Sequence, residues 1–156
     1  MTRFREAKLL TTHSIDFRVY YEDTDAGGVV YHARYFAFAE RARTEAIRSL
    51  GMAASDLIHD YGLAFVLRNA TIDFRAPFRL DDILTVKTRL TDQGAASCRL
   101  DQGIYHGEDL FVHIDVRLAC IRVADGKAAR FPPPWRALLA RLADETPGAR
   151  QAGSGR

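Results

Sequence analysis

At 156 residues, with 47% hydrophobic and 27% charged side chains, the chain is sized for one domain that buries about 68–70% of its unfolded surface without metal or disulfide staples. A net charge of +2, from 22 basic and 20 acidic residues, excludes the strongly basic balance of a nucleic-acid binder. No stretch reaches the roughly 18 apolar residues of a membrane span.

The first residues, 1–13, read as an N-terminal arm and hold no apolar segment long enough for a signal peptide. Residues 14–22 then alternate, with Ile15, Phe17, Val19 and Tyr21 on one side and Asp16, Arg18, Tyr20 and Glu22 on the other, which predicts a half-buried strand. A polar turn follows over Asp23-Thr24-Asp25-Ala26-Gly27-Gly28. From Tyr31 to Leu50 the period becomes helical. Tyr35, Phe38, Ala39, Ala42, Ala46 and Leu50 form the apolar stripe, and Arg41, Arg43, Glu45 and Arg48 are expected to face away. Gly51 is placed to stop that helix, and Ser55 to cap a short second one ending at Gly62.

Beyond Gly62 the chain reads as strand almost to Asp125. The runs are 63–76, 83–90, 96–106 and 110–123, with turns at Pro77, at Gly107-Glu108-Asp109 and at Asp125-Gly126. The last is the clearest strand, with Val112, Ile114, Val116, Leu118 and Cys120 on one face. Cys98 and Cys120 both fall in strand sequence and read as small core side chains, so a reduced, cytoplasmic setting is expected. Pro132-Pro133-Pro134 leads into a terminal helix over 135–144. Residues 146–156 are a Gly- and Arg-rich tail, expected to be mobile, which leaves 14–145 as the domain.

One strand, one long helix and then four strands without intervening helices make an α+β domain whose sheet is antiparallel. A 20-residue helix is about 30 Å long, comparable with the width of five strands at about 4.8 Å spacing. The expected architecture is therefore a hot-dog fold, one long helix wrapped by a five-stranded antiparallel sheet. A ferredoxin-like sandwich needs a second long helix, which the pattern lacks.

Chemistry concentrates between Tyr20 and Glu45. Two carboxylates, two glycines and a histidine stand before and within the first turn of the long helix. Helix N-termini present unpaired N–H groups and the positive end of the dipole, which suit an oxyanion developing on a carbonyl. The glycines let backbone approach a ligand. Asp25 can act there as base or nucleophile, and His32 can donate from its backbone or ring. Plainer roles compete: Asp23 or Asp25 as a turn or capping residue, and His32 as a structural histidine. A calcium loop starting at Asp23 fails, because Gly27 and Arg34 stand where ligands belong. An aspartyl phosphotransferase site fails because the preceding strand is amphipathic.

No nucleotide-binding glycine motif, zinc-protease motif or serine-hydrolase elbow is present. His113 and Asp115 share a strand face but make a poor metal site. Tyr31, Tyr35, Phe36 and Phe38 read first as core. Glu40 is expected to pair with Arg43 or Arg41.

The run Tyr21-Glu22-Asp23-Thr24-Asp25-Ala26-Gly27-Gly28-Val29-Val30-Tyr31-His32, continuing to Glu40-Arg41-Ala42-Arg43-Thr44-Glu45, resembles the signature of the Tol–Pal-associated acyl-CoA thioesterases. These belong to the 4-hydroxybenzoyl-CoA thioesterase-like branch of the hot-dog superfamily. A looser likeness extends through residues 75–82. The resemblance implies that Asp25 is the catalytic carboxylate and His32 its companion, offering a backbone N–H to the thioester carbonyl. Tyr31 and the Gly27-Gly28 turn would bind substrate. Arg34 and Phe36 depart from the Asn and Leu common in the family.

It further implies hydrolysis of acyl-CoA to free acid and CoA, with no metal or redox cofactor, by a homodimer or homotetramer with sites at the subunit boundary. Acyl carrier protein stands as an alternative carrier of the acyl group. The strand near Val112–Val123 and an uncovered sheet face are expected to make the contact between copies. Competing functions are a non-catalytic acyl-CoA-binding hot-dog protein, which binds without turnover, and a hot-dog hydratase/dehydratase, whose motif runs in a different order.

Overall fold

A computed structural model describes residues 12–143. In chain order these form β1 (His13–Arg18), a 3-10 turn (Tyr21–Asp23), α1 (Arg34–Ser49), α2 (Ala54–Tyr61), β2 (Leu63–Phe74), β3 (Ile83–Gln93), β4 (Ser97–His106), β5 (Asp109–Arg122) and α3 (Pro133–Ala140). The five strands make one antiparallel sheet in the order β1-β3-β4-β5-β2. This is the hot-dog arrangement, with α1 laid against the concave face. The mobile tail expected over 146–156, and the arm apart from Thr12 and His13, lie outside the described residues.

Alternation on the strands sets the two faces of the sheet. Leu84, Val86, Leu100, Ile104, Val112, Ile114 and Val116 are almost wholly buried, each contributing about 1.5–3 kcal/mol by burial. Phe38, Ala39, Ala42 and Ala46 of α1 meet them. The three alanines let the helix backbone sit close to the sheet. Trp135 and Leu139 of α3 complete the core, with Phe65 edge-on to the Trp135 ring.

Several boundaries differ from the sequence pattern, each for a local reason. The first strand ends at Arg18 rather than running to Glu22, because the Asp23 carboxylate accepts the Tyr20 N–H (2.9 Å) and curls Tyr21–Asp23 into a 3-10 turn. The long helix starts at Arg34 rather than Tyr31, because the Tyr31 N–H is drawn to the Asp23 carbonyl (2.9 Å). Ser55 is not a cap. Ala53 occupies that position and Asp56 accepts its N–H (2.8 Å). Proline at the first helical position starts α3 two residues early.

Arg43 is the largest departure. Expected to face away, it is 9% exposed and donates from Nη1 to Gln102 Oε1 (2.9 Å). Glu40 forms no ion pair with Arg43 or Arg41 among the described residues. The long side chain of Arg43 reaches past the alanine stripe to a polar group that β4 supplies from below.

Sheet position bears on the expected contact between copies, since it rules out edge pairing through β5. β5, the strand over Val112–Val123, is interior, with both of its edges paired. The uncovered face is not apolar either. Arg89 bonds Asp101 (3.0 Å), Asp101 also bonds His113, and Arg99 lies 3.7 Å from Asp115. The free edges are β1 and the 12-residue β2.

Candidate active site

Asp23 builds the platform. It is 3% exposed, and its Oδ1 accepts from Arg34 Nε (3.0 Å) and Nη2 (2.6 Å). Its Oδ2 takes the Tyr20 N–H, and its carbonyl takes the Tyr31 N–H. One residue therefore ties the end of β1, the turn and the start of α1 together. In the sequence Arg34 stands out as a departure from a common Asn and as a misfit in a calcium loop, not as a partner of Asp23. Its role as the partner of Asp23 needed the fold to be seen.

Asp25 sits on the tight loop that this platform holds. Its N–H donates to Val29 O (2.9 Å), and its carbonyl accepts from the Gly28 N–H (3.0 Å). Its side chain is exposed, and Oδ1 accepts the Gly27 N–H (2.8 Å). A Cβ on Gly27 would stand 3.1 Å from that oxygen, so glycine lets the carboxylate fold back over the turn. Gly28 has φ +79°, in the left-handed region that glycine adopts without strain. The loop is then pinned to the β2–β3 connection by Val30 N–H to Phe78 O (2.9 Å) and a bridge between Val29 and Arg79.

His32 lies in the turn just before α1, not in its first turn, with its ring 4.4 Å from that of the exposed Tyr31. Among the described residues no hydrogen bond joins Asp25 to His32. The start of α1 has no side-chain cap and no acidic residue in its first turn. The Arg34 N–H donates to Tyr31 O (2.8 Å), and no side-chain anion of its own first turn meets the positive end of the helix dipole.

Three more groups lie at this end: Tyr35, which the sequence marks only as core, and Asp82 and His106, to which it assigns no role. The Tyr35 hydroxyl accepts the Phe78 N–H (3.3 Å). Burial pushes its pKa up, opposed by that hydrogen bond and reinforced by the negative charges of Asp25 and Asp82. Asp82 lies 3.6 Å from His106, whose ring stacks on Phe111. Asp82 and His106 come from different strand ends, so no spacing in the chain announces the pair. Among the described residues no three His, Cys, Asp or Glu side chains converge as metal ligands.

An exposed carboxylate, restrained by one backbone N–H beside an uncapped helix start, can deliver a base or nucleophile to a carbonyl whose oxygen faces helix N–H donors. Comparison with known proteins gives the family. The model of the thioesterase-like superfamily matches residues 19–141. The acyl-CoA thioesterase YbgC of Haemophilus influenzae is 40% identical over 129 residues, covering 83% of this chain and 95% of that protein. The acyl-CoA thioester hydrolase YbgC of Escherichia coli O6:H1 is 45% identical over 105 residues, 67% of this chain and 78% of that protein.

Solved structures give the same fold. A probable thioesterase from Bartonella henselae superposes with TM-score 0.73 at 40% identity, over 78% of this chain and 99% of that one. A 1,4-dihydroxy-2-naphthoyl-CoA thioesterase from Synechocystis gives 0.77 at 28% identity, over 84% and 97%. The carboxylate-bearing turn, the open helix start and the hot-dog sheet are therefore those of a chain that belongs to the thioesterase-like superfamily.

Proposed function

We propose that this protein hydrolyses acyl-CoA thioesters to the free acid and CoA, with Asp25 as the catalytic carboxylate. The observation that carries the reading is the Asp25 carboxylate itself, exposed and held by the Gly27 N–H (2.8 Å) just ahead of an uncapped helix N-terminus. The thioester carbonyl oxygen points at the N–H groups of His32 and the first turn of α1, which stabilise the tetrahedral oxyanion.

Asp25 then acts in one of two ways. As general base it takes a proton from water while the oxygen attacks the carbonyl carbon, and the C–S bond breaks to release CoA thiolate, which is reprotonated. As nucleophile it forms an acyl anhydride, releasing CoA, and water hydrolyses the anhydride to regenerate the carboxylate. His32 assists by backbone or ring N–H. Gly27, Gly28 and Tyr31 shape the substrate side of the turn.

The active form is a homodimer or a pair of dimers. β2 supports this: it is a 12-residue free edge with Val66, Leu67 and Phe74 all more than a third exposed, a surface that a second copy would cover. The long run from Tyr21 to Glu45 supports the finer placement in the Tol–Pal-associated branch. Two unbridged, buried cysteines suit a cytoplasmic setting. Acyl carrier protein remains the alternative acyl donor.

Thiol release from a series of acyl-CoA substrates tests the reading. Turnover by the wild type that falls at least ~10²-fold in a folded Asp25→Asn variant is the expected result. Tight acyl-CoA binding with no thiol release by the wild type overturns it in favour of a binding protein.

A further inference from the structure

The Asp25 turn is a small hairpin, closed by a bridge between Thr24 and Val30 and by the Asp25 N–H to Val29 O (2.9 Å). Its near limb is tied to the end of β1 and to Arg34 by the buried Asp23 carboxylate. The far limb, Val29–Val30, is anchored separately on the β2–β3 connection. There the Val30 N–H donates to Phe78 O (2.9 Å), and Val29 bridges Arg79.

Phe78 is thus the reference point for the far limb, and both of its backbone polar groups are engaged. Its N–H donates to Tyr35 Oη (3.3 Å), a hydroxyl carried on the first turn of α1. Phe78 has no exposed surface and Tyr35 is 2% exposed, so bulk water does not stand in for either partner. Among the described residues the Tyr35 hydroxyl makes no other hydrogen bond. Burial pushes its pKa up, so it accepts as a neutral hydroxyl.

Ring packing surrounds this bond. Tyr35 meets Phe74 (5.9 Å between ring centroids) and Phe78 (6.2 Å), and Phe78 meets Phe111 (4.9 Å). Those contacts hold the connection against the core, whereas the hydrogen bond fixes the direction of the Phe78 backbone as well as its distance. The carboxylate rides on the hairpin and the oxyanion donors on the start of α1, so the two bodies must be held in register for reaction. Three hydrogen bonds relate them: Phe78 N–H to Tyr35 Oη, Val30 N–H to Phe78 O, and Asp25 N–H to Val29 O.

We infer that Tyr35 is a positioning residue for Asp25, its hydroxyl setting, through Phe78, the register between the carboxylate-bearing hairpin and the start of α1. It touches no reacting atom and moves no proton. The inference rests on the acyl-CoA hydrolase reading of the Asp25 site.

Tyr35→Phe is the test, since it keeps both ring contacts and deletes the hydroxyl alone. In thiol release from the best acyl-CoA of a chain-length series, kcat per folded molecule should fall about 10-fold or more, the scale of a slightly misplaced catalytic group. KM should stay within about twofold, because the substrate binds whether or not the carboxylate is aligned. The double variant Asp25→Asn/Tyr35→Phe should lose nothing beyond Asp25→Asn, because residues that act as a unit are not additive. Amide hydrogen exchange reads the same linkage without substrate: the Phe78 and Val30 amides should exchange faster in Tyr35→Phe while those of β4 and β5 do not.

Unchanged kcat overturns the inference, as does a raised KM at constant kcat, which marks a substrate contact. An independent second loss in the double variant, or exchange accelerated uniformly across the sheet, overturns it as well. Should Tyr35→Phe not fold, the wild type decides: Phe78 and Val30 amides protected like those of β4 uphold the linkage, and unprotected ones overturn it. A wild type without thiol release, or a fully active Asp25→Asn, refutes the underlying reading and takes this one with it. Turnover lost in Asp25→Asn but kept in Tyr35→Phe refutes this one alone.

Discussion

Asp23 and Asp25 stand two residues apart on one turn, yet their environments predict opposite responses to the same substitution. Asp23→Asn replaces a buried carboxylate that accepts from Arg34 through two nitrogens and from the Tyr20 N–H. Either amide orientation sets an NH2 against a donor, and Arg34 loses its counter-charge. A fully buried broken pair costs about 3–5 kcal/mol. Because the Arg34 side chain is 29% exposed, water recovers part of this, and about 2–3 kcal/mol is expected. Asp25→Asn instead keeps an oxygen for the Gly27 N–H on an exposed residue, so stability should change by no more than about 0.5 kcal/mol. Turnover should reverse that order. Asp25→Asn loses at least ~10²-fold in kcat, while Asp23→Asn retains near-normal kcat per folded molecule. Urea unfolding and a thiol-release assay on the same two preparations give all four numbers. A stable, inactive Asp23→Asn beside an active Asp25→Asn would exchange the two roles and refute the assignment.

Further outcomes follow from individual contacts. Gly27→Ala puts a methyl 3.1 Å from Asp25 Oδ1, so kcat should drop with little change in the unfolding midpoint. Gln102→Leu strips partners from Arg43, Ala39 and Thr88 in the core; it should cost about 3–5 kcal/mol, and calorimetry should show Tm lower by about 10 °C. Burial pushes the Cys98 thiol up to about 12 from an ordinary 9.0. The folded state therefore holds this proton where the unfolded state releases it, and stability falls as pH rises from about 9 towards 12. Denaturation at pH 8, 9.5 and 11 reads this, and Cys98→Ala should flatten the slope. Val66→Asp on the free edge of β2 should shift the protein towards monomer in light scattering if that edge joins two copies.

Patterns local to the chain were legible in the sequence itself. The period-two strands, the single long helix and the Pro132–Pro134 break specify an antiparallel sheet with one helix, because each depends on residues within a few positions of one another. The turn from Asp23 to Gly28 was equally visible, since a left-handed glycine and a carboxylate that folds back on the next N–H are local needs. What failed did so where a hydrogen bond from outside an element's own periodicity intervened. The first strand stops early and the helix starts late because one buried carboxylate competes for the Tyr20 N–H and its own carbonyl for the Tyr31 N–H.

The tertiary structure alone decided the rest. The pairing of Asp23 with Arg34 depends on the turn bringing them together, and the bracket of Arg43 with Gln102 spans 59 residues. Likewise, β5 becomes interior and β2 an edge only when the sheet is assembled. Periodicity reports which face of an element is apolar. It says nothing of which long polar side chain will cross that face to meet a partner from another strand, because hydrogen bonds and charge pairs in the core are settled by geometry between elements rather than by spacing along one.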